Sequence, residues 1–141
     1  MKAALLRLHV PLGLLVLALT LFRVGWWYID RRPAPLPAMP RWQISAEALV
    51  RMALYALILV LGASGIALMI LSGAGAVLFF GAPGPLADFW QFPPMFAHFA
   101  AAMALLALAA LHVVAALYHH FVRRDGLLTR MGVGRAAMSS R

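Results

Sequence analysis

Residues 95–122, MFAHFAAAMALLALAALHVVAALYHHFV, decide the fold: the run is apolar throughout and carries no Asp, Glu, Lys or Arg. A helix needs about 20 mostly apolar residues to cross a bilayer, and this run is long enough. It is rich in alanine (Ala97, Ala100, Ala101, Ala102, Ala104, Ala107), which lets a neighbouring helix or a flat ring approach closely. Ordinary small-residue helix packing is the simpler of those two readings. Working outward, two further stretches are long and mostly apolar, residues 8–29, with Arg23 inside it, and 46–71, with Glu47 and Arg51 near its start. Between the first and second spans lies DRRPAPLPAMPRWQ, whose Pro33, Pro35, Pro37 and Pro40 cannot continue a helix. Between the second and third lies SGAGAVLFFGAPGPLADFWQFPP, whose AVLFF core is too short to span and reads as re-entrant or interfacial. The expectation is an all-α protein, a membrane bundle of three transmembrane helices in a single domain over residues 1–141, ending in a basic tail from 123 to 141.

Composition supports this and narrows the chemistry. Hydrophobic residues make up 65% of the 141 and charged residues 11%, against roughly 45–50% and about 25% in soluble domains. That excludes a soluble enzyme. The formal charge of +8 in a soluble chain would suggest nucleic acid. Here the basic residues flank apolar stretches, so lipid is the expected partner and nucleic acid is not. With no cysteine, disulfides, thiolate metal sites, iron–sulfur clusters and cysteine nucleophiles are ruled out.

Basic residues also set direction. Arg31, Arg32 and Arg41 lie between the first two spans, and Arg123, Arg124, Arg130, Arg135 and Arg141 follow the third. The intervening loop carries only Asp88. The positive-inside rule then places the first loop and the C-terminus in the cytoplasm. Three spans send the N-terminus outward, in mild conflict with Lys2 and Arg7. A preceding helix would remove that conflict. A cleaved signal peptide is the rival reading of the first span, but Arg23, Val24, Gly25 and Trp26 follow the apolar run instead of an A-x-A-like site. Trp26, Trp27 and Tyr28 read as an aromatic belt at the cytoplasmic interface.

Histidine inside a bilayer is rare and points to function. His9 begins the first span and His98 lies near the start of the third. Both spans run from outside to inside, so the two imidazoles share one outer depth, a placement suited to the axial positions of a b-type haem. His112 follows His98 by 14 residues, a rise of about 21 Å and a rotation within about 40° of four full turns. The two therefore project from one face, one towards each leaflet, as a ladder of two haems would need. Arg23 is also 14 residues beyond His9, at the inner depth of His112. Its guanidinium could neutralise haem propionates or simply snorkel to the interface, and the residues do not separate these. Gly13, one turn below His9, either makes room for a macrocycle or packs a helix.

Other polar groups have simpler readings. His119 and His120 beside Arg123 and Arg124 read as interfacial and wet. Glu47 and Arg51, at i,i+4, read as a salt bridge with Glu47 near a helix N-terminus. The methionines read as packing.

These residues together resemble the bacterial cytochrome b561 family, di-haem quinone-linked membrane cytochromes related to nickel-hydrogenase cytochrome b. HVPLGLLVLALTLFR (9–23) has its His-x3-Gly and downstream Arg in His9, Gly13 and Arg23. LYALILVLGASGIALMI (54–70) has Tyr55 and Gly65. AHFAAAMALLALAALHVVAALYHHFVRRDGLLTRM (97–131) matches two His 14 apart, then His-His, a basic–acidic step and Leu-Leu-x-Arg-Met. Family members have four helices, and these three resemble the second, third and fourth. The resemblance implies that His9 and His98 ligate an outer haem b. It leaves His112 without the partner that a first helix normally supplies, so a second haem needs a missing helix, a partner subunit or a second copy. Where the family tends to carry a His near the start of its third helix, this chain has Arg51.

The leading expectation is a membrane b-type cytochrome that passes electrons between the quinone pool and a redox partner through bis-His haem. His9, His98 and His112 are its iron ligands, and Arg23 and Gly13 help to bind the cofactor. One branch of the family implies superoxide oxidation; otherwise the chain is a carrier without acid–base machinery. The alternatives are a haem-free structural or assembly subunit that keeps the fold, and a small transporter subunit, which would need a mid-membrane acid that is absent here.

Overall fold

The computed structural model describes residues 2–27, 29, 41–118 and 121–122. Its helices are α1 (Lys2–Trp26), α2 (Arg41–Leu71), α3 (Ala74–Phe79) and α4 (Pro94–Tyr118), with a 3-10 turn at Phe89–Gln91. Among the described residues α1, α2 and α4 are long and apolar enough to cross a membrane. The protein is all-helical. His119, His120, Tyr28, Arg31, Arg32 and the basic tail from 123 to 141 lie outside the described residues.

Helix ends differ from the spans read in the sequence. The first helix begins at Lys2, not Leu8, because Ala3, Ala4, Leu5 and Leu6 are strong helix formers that extend it beyond the apolar run. It stops at Trp26 and not Ile29. The second is helical from Arg41, five residues before Ala46 and directly after Pro40. Glu47 therefore falls beyond the first turn of α2, which has no acidic residue. It is too far in to gain much from the helix dipole. Its ion pair with Arg51 does form, at 2.8 Å. Helix α1 continues through Pro11, which takes the usual helical donor from the Arg7 carbonyl.

The chain divides into two compact units, Met1–Leu105 and Leu106–Arg141. In the first, α1, α2 and α3 pack on one another. Leu17 of α1 fits a notch at Gly62 of α2: a Cβ there would lie 2.7 Å from both Leu17 methyl carbons. Leu68, Ala74 and Leu78 are buried where α2 turns into α3. Gly73 makes that turn in the left-handed region, φ 69°, where a side chain is disfavoured. The buried hydroxyls of Thr20 and Ser64 donate to carbonyls one turn back, Val16 and Val60, at 2.8 and 2.6 Å, so neither is left unsatisfied in an apolar medium. Leu8, Leu12, Leu15, Leu19 and Phe22 form an exposed stripe along α1, which hydrocarbon solvates without penalty.

The segment joining α2 to α4 is more ordered than its glycines and prolines suggest. Its AVLFF core lies mostly within the short helix α3. Arg7 Nε donates to the Leu78 carbonyl near the end of that helix, at 3.1 Å, placing a cation where the helix dipole favours one. The Asp88 carboxylate accepts from the Trp90 N–H at 3.1 Å and caps the 3-10 turn. Trp90 packs against Phe96 and Phe99 of α4, with ring centroids 5.6 Å apart in both pairs. Arg7 is thus tied into the fold.

Candidate functional site

The first unit gathers His9 from α1 and His98 from α4 beside residues 61–65 of α2, Leu-Gly-Ala-Ser-Gly. Helix α1 presents His9 on its exposed side two turns from its start, and α4 presents a half-buried His98 in its second turn. Their ring centroids are 6.2 Å apart and the ring planes are inclined by 73°.

Helix α2 holds the His98 ring in place. Its Nδ1 lies 3.1 Å from the Leu61 carbonyl and 3.0 Å from Ser64 Oγ. A carbonyl can only accept, so the contact with Leu61 is a hydrogen bond only when Nδ1 carries the proton. Nε2 is then left with a lone pair for a metal, the pattern that outer-sphere partners usually impose on a ligating imidazole. Gly65 lets the ring lie against the helix, since a Cβ there would stand 3.3 Å from His98 Cε1. Space at this glycine is therefore taken by an imidazole of the protein itself.

This geometry can be compared with what a haem requires. With metal–nitrogen bonds of about 2 Å and roughly 1 Å from ring centre to nitrogen, two axial imidazoles place their centroids about 6 Å apart. Planes that both contain the nitrogen–nitrogen axis take any mutual inclination, so separation is the discriminating quantity, and 6.2 Å fits. Gly13 leaves its side of α1 open, with nothing within 4 Å of an added Cβ. Among the described residues no group of three or more His, Cys, Asp or Glu gathers. Two imidazoles can serve as the full protein complement of a haem iron.

The other residues singled out in the sequence lie apart from this pair. Arg23 is exposed in the last turn of α1. His112 is exposed on the part of α4 that belongs to the second unit and has no hydrogen-bond or ring partner among the described residues. Sequence reading missed Leu61 and Ser64. The signal in the sequence was slight: Ser64 is one hydroxyl within an otherwise apolar stretch of the middle span.

Comparison with known proteins agrees with this reading of the fold. The profile of the prokaryotic cytochrome b561 family matches residues 1–134. The chain is 33% identical over 129 residues to cytochrome b561 homolog 2 of Escherichia coli K12, covering 88% of this chain and 68% of that protein. It is 36% identical over 124 residues to cytochrome b562 of Cereibacter sphaeroides, covering 88% and 65%, and 30% identical over 126 residues to cytochrome b561 homolog 1 of E. coli K12, covering 87% and 72%. The chain thus spans about two thirds of the length of these relatives. No solved structure matches it significantly. With its membrane-capable helices and the matching profile, the chain belongs to the prokaryotic cytochrome b561 family of integral-membrane b-type cytochromes.

Proposed function

We propose that this protein is a haem-b electron carrier of the bacterial inner membrane, exchanging electrons with the quinone pool. The observation that carries the reading is the 6.2 Å separation of the His9 and His98 imidazoles, with the His98 Nδ1 engaged by Leu61 and its Nε2 left to face iron. Bound haem supplies a one-electron ferric/ferrous couple. The chain's own part is to clasp, orient and shield. His9 and His98 hold the iron from two helices, Gly13 leaves α1 flat beside the ring, and the apolar surroundings keep water away. Arg23, exposed in the last turn of α1, 14 residues beyond His9, would serve a propionate only of a second haem in the inner half. The C-terminus faces the cytoplasm, as the basic tail favours.

A place for a small-molecule partner lies near this pair. A cavity of about 360 Å³ is lined by residues that include Lys2, Leu6, Asp88, Trp90 and Met95, a volume within the range of ligand sites. Leu6 and Met95 each precede one of the two histidines by three residues, so the cavity lies one helical turn from both imidazoles. A lining of aromatic and apolar side chains with one ammonium and one carboxylate would suit a quinone headgroup.

The test is the haem-to-protein ratio and optical spectrum of the chain purified from membranes. One b-type haem per chain with a low-spin bis-His spectrum is expected, and His98→Ala should abolish that spectrum. A parent protein that takes up no haem, or a His98→Ala variant with an unchanged bis-His spectrum, defeats the reading.

A further inference from the structure

Helix α2 carries no expected ligand, yet it touches His98 at Leu61, Ser64 and Gly65. We propose that Ser64 is a positioning residue that sets the donor strength and orientation of the His98 imidazole, and through it the redox potential of the site. The inference rests on the reading of His98 as an axial ligand.

The hydrogen-bond inventory carries the argument. Ser64 is buried, with 8% of its surface exposed. Its oxygen lies 2.6 Å from the Val60 carbonyl, 3.2 Å from the Leu61 carbonyl and 3.0 Å from His98 Nδ1. A hydroxyl has one proton to give, and the Val60 carbonyl, the shortest contact, takes it. The lone pairs of Oγ then face Nδ1, whose proton the Leu61 carbonyl already requires at 3.1 Å. Nδ1–H is therefore shared between two acceptors on one turn of α2. The opposite assignment, with Ser64 donating to a bare Nδ1, gives up the Val60 bond and sets two lone pairs against each other at the Leu61 contact.

Sharing that proton has two consequences. Two acceptors fix rotation of the ring about its Cβ–Cγ bond better than one, with Gly65 as the floor it rests on. Pull on Nδ1–H also moves electron density towards Nε2, making the ligand more basic, and a more basic ligand favours ferric over ferrous iron. Helix α2 would thereby hold the potential down without contacting the metal.

The experiment compares Ser64→Ala, Ser64→Cys and Ser64→Thr with the parent, all as full chains in detergent or nanodiscs. Haem-to-protein ratio, midpoint potential and the low-spin ferric EPR signature are read for each. Ser64→Ala should retain haem but lose ferric preference by roughly tenfold, the low end for outer-sphere partners because Leu61 remains. For one electron that is an upward shift of about 59 mV. Ser64→Cys, a weaker acceptor, should shift less, and Ser64→Thr should restore the parent values. A haem-loaded Ser64→Ala with parental potential and EPR signature overturns this inference alone. Equal shifts in Ser64→Ala and Ser64→Thr, the mark of a packing role, overturn it as well. A parent chain that binds no haem overturns both this inference and the function on which it rests.

Discussion

His98 and His112 lie on one helix, 14 residues apart, and their surroundings have little in common. His98 is half-buried, has its Nδ1 bonded to Leu61 and packs against Gly65 and the ring of His9. His112 is exposed and has no such partner among the described residues. The contrast teaches that spacing makes a residue available and its neighbours decide whether its ring is held. A metal-binding imidazole needs its second nitrogen satisfied by the protein, and among the described residues His98 has such a partner and His112 has none.

The largest expected effect tests the contrast directly. His98→Ala should eliminate the bis-His spectrum, whereas His112→Ala should leave the haem-to-protein ratio and Soret position of the outer site intact. Equal losses in the two variants would break the comparison. Gly65→Ala sharpens it by disturbing only the seat: the new methyl meets His98 Cε1 at 3.3 Å, and overpacking of this kind costs about 1–3 kcal/mol. A lower midpoint of thermal unfolding and weaker haem retention should follow, with His112 unaffected. Arg7→Gln removes the charged donor to Leu78, a loss of about 1 kcal/mol. Hydrogen exchange at the amides of 74–79 should quicken while the haem spectrum stays unchanged.

Smaller effects lie further from the pair. Gly62→Ala places a methyl 2.7 Å from the ends of Leu17. That side chain can swing away, so the loss should stay near about 1 kcal/mol, and Leu17→Ala in the same chain should restore part of it in a double-mutant cycle. Glu47→Gln breaks an exposed ion pair, both of whose partners are about half-exposed. Its effect on unfolding should stay within about 0.5 kcal/mol and fade at high salt.

What was legible in the sequence follows from local rules. A mostly apolar run of bilayer length reads as a spanning helix wherever it is placed, so α1, α2 and α4 could be read with their order. Helix ends were less accurate, because a helix outlasts its apolar stretch wherever the flanking residues favour it, as at Ala3 and Ala4. His9 and His98 could be matched in depth because two spans running the same way share a ruler of about 1.5 Å per residue. The pairing of Arg7 with Leu78, residues 71 apart, left no such trace.

The sequence by itself determined an all-helical membrane chain, its three spans, and imidazoles at one depth on the first and last of them. Each of these depends on hydrophobicity and helical rise, which act along a single segment. Only the tertiary structure decided that Leu61, Ser64 and Gly65 of the middle helix grip His98, and that Leu17 sits in the notch at Gly62. Which side chains meet across two helices depends on the rotation and axial offset of each, and these are settled by the packing of the helices against one another.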